Sequence, residues 1–285
     1  MLSIIIPAKD EEQSIANTIT EIDNALHYDG CSYEIIVVDD GSVDNTANIA
    51  QAIEDVRVVK HPYNRGYGAS LKTGMSKAIG DTIIITDADG TYQPNDIPRL
   101  LNYIEDYDMV IGARTNKGAK IPLYRKPAKW FLTKLASYLA KVNIPDLNSG
   151  MRIFKKVDME KFRYILPSGF SFTTTSTLSY LCNDLTIKYV PIEYHARVGR
   201  SKIKPFRDGF NFILLILRVI TYFNPLRIFI PAAFTLLLMS ILTLVLSLTF
   251  LDTILDSTIV ALFIAAIQVG IFGLLADSIS KRKID

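Results

Sequence analysis

Five short stretches of the chain are largely apolar without strict alternation: LSIIIP at 2–7, YEIIVVD at 33–39, VRVVKH at 56–61, TIIITDAD at 82–89 and MVIGAR at 109–114. Between them, Ser14–Leu26 and Val43–Ile53 carry apolar residues at helical spacing. Continuous apolarity predicts strands covered on both faces, and strands alternating with amphipathic helices predict a mostly parallel α/β sheet. Ligands gather beyond the carboxyl ends of such strands. The segments PAKDEE, DDGS and DADG all fall there.

The last quarter of the chain follows a different pattern. Ile228 to Leu251 contains no charged residue, and a second uncharged run, Thr258 to Ala276, follows the short link DTILDS. Each is about long enough to cross a ~30 Å hydrocarbon core, and two in succession predict a membrane hairpin rather than buried core helices. The link carries Asp252 and Asp256 but no base, whereas Arg218 and Arg227 precede the hairpin and Lys281, Arg282 and Lys283 follow it. The positive-inside bias then puts both ends and the large N-terminal domain in the cytoplasm, at the plasma membrane of a prokaryote or at the endoplasmic reticulum. The expected organisation is a cytoplasmic domain over 1–205, a juxtamembrane helix over 206–225, and the hairpin with its basic tail over 226–285.

Composition sharpens this division. Hydrophobic residues make up 49% of the 285, and the net charge of +2 hides an acidic half before a basic one. Residues 1–113 hold 19 acids and 7 bases, against 10 acids and 24 bases in the remainder. Cys31 and Cys182 are far apart, with no CxxC, which argues against zinc or a disulfide framework and for a reduced compartment. The segment MLSIIIPAKDEE is too short in its apolar part for a signal peptide and reads as a first strand.

A buried strand ending in Asp87 and Asp89 needs its charges neutralised, because carboxylates gathered at a strand end are costly without a cation or hydrogen-bond donors. Mg²⁺ or Mn²⁺ is the natural partner, since either takes one or two carboxylates and completes its shell with water and phosphate oxygens. Asp39 and Asp40 form a second acidic strand end beside it. Capping and loop aspartates also produce the D-x-D spacing, so position rather than spacing carries the reading.

The ordered set IIIPAKDEE, VVDDGSVDNT, NRGYGASLKTG, DADG, IGAR, DLNSGMRIF and GRSKIKPFRD spans nearly the whole chain. It resembles the inverting glycosyltransferases of family 2, most closely the branch that moves a sugar from a nucleotide onto a polyprenyl or dolichyl phosphate. The resemblance implies a GT-A nucleotide-sugar-binding domain in which Pro7, Ala8 and Glu11 line the nucleoside pocket and Asp39 bonds the base. It further implies that Asp87 reaches the ribose or the metal and that Asp89 holds the metal at the diphosphate. Arg114 and Arg125 match phosphate-contacting arginines. Arg200, Ser201 and Lys202 belong to a loop that closes over donor diphosphate and acceptor phosphate. Two departures stand out: Thr91 occupies the place of a glutamine metal ligand, with Gln93 two residues later, and Thr173–Thr175 replace an acidic residue after FSF.

The missing acid is tolerable chemically, because a phosphomonoester is largely a dianion at pH 7 and needs no base to be nucleophilic. Bringing two anions together instead demands a metal and fixed cations. Between Met109 and Pro145 there are eight Lys or Arg residues and no acid; Lys117, Lys120 and Lys141 read as a solvated face, and Arg114 and Arg125 as phosphate donors. Ser149 is a candidate on the acceptor side with Asp146 and Gly150, Asp146 pairing Arg152, and a plain structural turn is the alternative. Phe131, Leu135, Tyr138 and Val142 form a stripe over 127–142 that predicts an interfacial amphipathic helix. NRGYGASLKTG matches neither a dinucleotide fingerprint nor a P-loop; Gly66 and Gly68 read as a turn before a helix from Ala69 to Ile79, with Lys72 exposed. His27, His61 and His195 receive no catalytic role, and no nucleic-acid partner is expected. Homo-oligomerisation is left open. Absence of Q-x-x-R-W disfavours a processive synthase, and UDP-sugars are favoured over GDP-mannose as donor.

Overall fold

The computed structural model describes residues 1–27, 30, 32–115, 133–138, 140–195, 205–250 and 256–281. The chain forms two compact units, Met1–Tyr138 with Val142–Phe212, and Leu139–Lys141 with Ile213–Asp285.

The first unit is built on a seven-stranded sheet of order β3-β2-β1-β4-β6-β5-β7 among the described residues. The strands are β1 (Leu2–Ala8), β2 (Tyr33–Asp39), β3 (Val56–Lys60), β4 (Thr82–Ile85), β5 (Met109–Ala113), β6 (Arg152–Lys155) and β7 (Ile187–Pro191). All neighbours run parallel except β6, which lies antiparallel between β4 and β5. The first five strands fall where continuous apolarity predicts them. β6 and β7 escape that reading because RIFK and IKYVP are short and interrupted by charge.

Alternation decides which helices cover which face. Ile4, Ile6, Ile35, Val37, Ile84, Val110 and Ile153 join one core with Ile15, Ile19, Ile22 and Leu26 of α1 (Ile15–His27), Ala50 of α2 (Thr46–Gln51), and Ile97 and Leu100 of α4 (Ile97–Leu101). On the other face, Gly74 of α3 (Tyr67–Lys77) lies directly on Ile5, so close that any Cβ would overlap its side chain. Two further helices, α5 (Lys156–Glu160) and α6 (Phe172–Cys182), follow β6. Arg152, fully buried, points to the α6 side, where Ser176 and Thr177 receive its hydrogen bonds.

Of the expected helix over 127–142, only part is described. Residues 133–138 are helical, with Ala136 buried and Tyr138 69% exposed, which is the wrong way round for a stripe packed into a core.

Among its described residues the second unit is mainly helical from Ile213 onward. α7 (Pro205–Phe223) buries Ile216, Val219, Ile220 and Phe223 at one-face spacing. α8 (Leu226–Phe250) and α9 (Asp256–Lys281) pack against each other and are long and apolar enough to cross a membrane, with mean hydropathy 2.4 and 2.6. Only 6% and 11% of these spans is buried, so their apolar side chains face outward, the reverse of soluble core helices. Gly273 admits Phe229, and the Ser240 hydroxyl donates to the Ile259 carbonyl at 2.9 Å, fixing the pair with small and polar residues.

Candidate active site

The carboxyl ends of β1 and β2 are level, Ala8 opposite Asp39, and the loops beyond them are fastened together. The amides of Asp10 and Glu11 donate to Ser42 Oγ (2.9 Å) and Thr46 Oγ1 (2.8 Å), and those of Val43 and Asn45 return the bonds to Asp10 Oδ1 (2.9 Å) and Glu12 Oε2 (3.1 Å). Pro7, Ala8, Glu11 and Asp39 are thereby gathered into one loop pair, with Pro7 and Ala8 buried and Asp39 only 4% exposed. Asp39 Oδ1 accepts from the Ser42 amide at 3.3 Å.

Asp40, read from sequence as part of the acidic strand end, is used differently. Its Oδ1 lies 2.8 Å from His61 Nδ1 and accepts from the Arg65 amide at 2.8 Å, while Oδ2 accepts from the Gly66 amide at 2.8 Å. Burial by itself raises its pKa, but these donors prevail and hold the carboxyl below its ordinary value. The pair orders the turn into α3. The sequence offered no signal for it beyond an isolated histidine.

At the end of β4 the chain turns through Gly90, whose φ of 69° is the left-handed region that suits glycine. Asp89, 8% exposed, accepts from the Thr91 hydroxyl at 2.6 Å and the Thr91 amide at 3.2 Å. Thr91 therefore holds Asp89 in place and is itself fully buried. Asp87 is half-buried and accepts from the Tyr67 hydroxyl at 3.0 Å. Burial and the Asp87 charge push the Tyr67 phenol well above its usual pKa, so it remains a donor.

A strap of residues 146–150 joins this acidic end to β5. Arg114 forks onto Asp146, Nε to Oδ2 at 2.7 Å and Nη2 to Oδ1 at 2.9 Å, and its amide adds a 3.1 Å bond. Its guanidinium also lies 5.2 Å from the centre of the Tyr194 ring, which meets Tyr92 edge-on. Burial opposes this charge, yet Tyr92 and Asp146 hold its pKa well above the usual arginine value. The Tyr92 hydroxyl accepts from the Gly150 amide at 2.6 Å, and Gly150 in turn lies against the Asp87 carboxylate. Asp87 and Arg114 thus meet through Tyr92 and the strap.

Three expectations need correction here. Asp146 pairs Arg114, not Arg152; the Arg152 guanidinium instead donates to the carbonyls of Ser149 (2.7 Å) and Leu147 (3.1 Å) and to Ser176 and Thr177, bracing the strap from behind. Ser149, expected at the acceptor phosphate, is fully buried and its hydroxyl donates to the Gly112 carbonyl at 2.5 Å. Lys72, expected exposed, donates to the Leu166 carbonyl at 3.0 Å, and burial lowers its pKa. Among the threonines replacing an acid, Thr174 donates to Asn148 of the strap at 2.5 Å. Arg125, Arg200, Ser201 and Lys202 lie outside the described residues.

Among the described residues no group of three or more His, Cys, Asp or Glu could hold a metal ion. The donors at the end of β4 are two carboxylates, hard oxygens that suit Mg²⁺ or Mn²⁺ when substrate oxygens and water complete the shell.

An α/β sheet with fastened loops beyond β1 and β2, paired aspartates after β4 and a fixed arginine after β5 is the arrangement of a glycosyltransferase of the GT-A fold. The chain belongs to glycosyl transferase family 2, which matches residues 3–163. Its fold is similar to that of glucosyl-3-phosphoglycerate synthase from Mycobacterium tuberculosis, with a TM-score of 0.61 at 22% identity over 77% of this chain and 79% of that one. That synthase has also been crystallised with Mn²⁺, UDP-glucose and phosphoglyceric acid. In sequence, the chain is 29% identical over 210 residues to a dolichyl-phosphate hexose transferase of Haloferax volcanii, covering 73% of this chain and 89% of the relative. It is 32% identical over 222 residues to the low-salt glycan biosynthesis hexosyltransferase Agl6 of the same organism, covering 76% and 53%. A dolichol-phosphate mannosyltransferase of Pyrococcus furiosus is 34% identical over 217 residues, covering 71% and 59%. The match thus spans little more than half the length of the last two relatives.

Proposed function

We propose that this protein transfers a hexose, with inversion, from a nucleotide sugar to the phosphate of a polyprenyl or dolichyl phosphate at the cytoplasmic face of a membrane. A UDP-sugar is the favoured donor. The observation that supports the reading is the continuous link from Asp87 through Gly150, Tyr92 and the strap to the forked Arg114, which joins one carboxylate of the proposed cation site to a permanent guanidinium. The relatives named for dolichyl-phosphate hexose and mannose transfer support the acceptor class. The outward-facing apolar helices α8 and α9 support a membrane anchor.

In this reading the nucleoside rests on the loops after β1 and β2, with Asp39 accepting from the base and Pro7, Ala8 and Glu11 lining the pocket. A divalent cation held by Asp87 and Asp89 would neutralise charge on the leaving diphosphate. Thr91 keeps Asp89 oriented, and Tyr67 and Gly150 fix Asp87. Arg114, pre-set by Asp146, offers its charge to phosphate oxygens without reorganising. An oxygen of the dianionic acceptor phosphate attacks the anomeric carbon as the bond from that carbon to the diphosphate oxygen breaks, releasing nucleoside diphosphate. No proton need be removed, which fits threonine at 173–175. Arg125 with Arg200, Ser201 and Lys202 would supply the remaining cations.

The test is incubation of the full chain in detergent with polyprenyl phosphate, Mn²⁺ or Mg²⁺, and labelled UDP- and GDP-sugars. A sugar-lipid product that disappears with EDTA or in Asp89→Asn is expected. Absence of product from every donor, with nucleotide still bound, would make the chain a silent lipid-phosphate-binding subunit; product with a polysaccharide acceptor alone would move it to another branch.

A further inference from the structure

The rim of the site contributed by α3 and the segment 166–170 is aromatic and cationic. Gly66, with φ 99°, and Gly68 allow the start of α3 to approach the backbone of 167–169 more closely than any side chain would permit. The Ala69 amide donates to the Ser168 carbonyl at 3.0 Å, and Lys72 Nζ reaches the Leu166 carbonyl at 3.0 Å and Ser168 Oγ at 3.4 Å. The segment is therefore fixed on the helix rather than loosely draped. Phe170 follows directly, its ring stacked on Tyr67 with centroids 5.7 Å apart and planes 18° apart. Tyr67 is the residue whose hydroxyl touches Asp87.

Phe170 is nevertheless 58% exposed, one ring away from a candidate metal carboxylate. A ring exposed at the edge of the site offers apolar area for a ligand to cover. One cation lies at the base of this segment: Lys72 Nζ is 3.4 Å from Ser168 Oγ, two residues before Phe170. A bare ring with a lysine at the base of its segment matches an amphiphile with an anionic head and an apolar first segment. The nucleoside end of the donor is provided for by the β1 and β2 loops.

We propose that Phe170, backed by Tyr67, forms the subsite for the first apolar unit of the acceptor, the carbon chain crossing the ring while the head phosphate enters beside Asp87. This rests on the lipid-phosphate reading above and assigns the acceptor's apolar segment to named residues.

The experiment measures equilibrium binding of farnesyl phosphate to the full chain in detergent, beside binding of UDP with Mn²⁺, for the wild type, Phe170→Ala and Phe170→Trp. Phe170→Ala is expected to weaken farnesyl phosphate about tenfold and leave UDP within twofold, while Phe170→Trp retains both. Equal weakening of UDP, or unchanged farnesyl phosphate affinity, overturns the subsite. So does loss of liposome binding with farnesyl phosphate affinity unchanged, which would make Phe170 a bilayer contact. A wild type that binds farnesyl phosphate through Phe170 yet transfers no sugar would keep the subsite and sink the transfer reading. A wild type that does not bind farnesyl phosphate sinks both.

Discussion

Gly150→Ala isolates the contact between the strap and Asp87. A Cβ at this position would lie 2.7 Å from Asp87 Oδ2 and 2.9 Å from Oδ1, where ordinary contact begins near 3.4 Å. The carboxylate must then give by about 0.7 Å, or the strap must lift by as much. Gly150 is not among the positive-φ glycines, so alanine adds no backbone strain and the cost comes from the contact itself. Lifting the strap is resisted by the Gly150 amide bond to Tyr92 and by Arg152 on the Ser149 carbonyl, which leaves Asp87 as the softer partner. Displacements of this size in a positioned group cost about 10- to 100-fold in rate, equivalent to about 1.4 to 2.7 kcal/mol of transition-state stabilisation. The assay is initial rate against Mn²⁺ concentration, with UDP binding by calorimetry and the thermal midpoint measured in parallel. The expected result is a lower kcat/KM and a higher Mn²⁺ requirement with the midpoint shifted by no more than a few degrees. An unchanged rate in a folded Gly150→Ala protein would refute the assignment of Asp87 to the reaction.

Other perturbations probe the neighbouring parts. Thr91→Val removes the buried hydroxyl that donates to Asp89 and should lower the thermal midpoint by an amount equivalent to about 1 to 3 kcal/mol while raising the Mn²⁺ needed for half-maximal activity; a purely local loss of stability would leave the metal dependence alone. Arg114→Lys keeps a charge but loses the fork onto Asp146, so kcat/KM should drop about tenfold or more, and wild-type kinetics in this variant would exclude a geometric role. Asp40→Asn tests the His61 turn through pH: a carboxyl held below its ordinary pKa of about 4 stabilises the fold above that pH, and the gain is lost as pH falls through the folded value. Stabilities of wild type and variant should therefore differ most at pH 7, by about 2 kcal/mol, and converge only as pH falls below about 4 and through the folded value; a constant gap would show that the charge is not what matters.

Residue type and short-range spacing were enough to locate β1 to β5, because strands covered on both faces leave unbroken apolar runs whatever lies beyond them. The same local signal marked the acidic strand ends and the two long apolar helices. β6 was not legible, since a strand inserted antiparallel between β4 and β5 and carrying the buried Arg152 lacks an apolar run. Nor were the partners of the charges. Asp146 is six residues from Arg152 yet bonds Arg114, thirty-two residues away, and Ser149 faces the Gly112 carbonyl instead of a ligand. Gly66 and Gly68 read as a turn, but what demands glycine there is the distant segment 167–169. The sequence by itself determined which groups the protein has and which strand ends present them. Only the tertiary structure decided which of them face one another, because that depends on strand order and long-range packing, for which neighbouring residues along the chain carry no record.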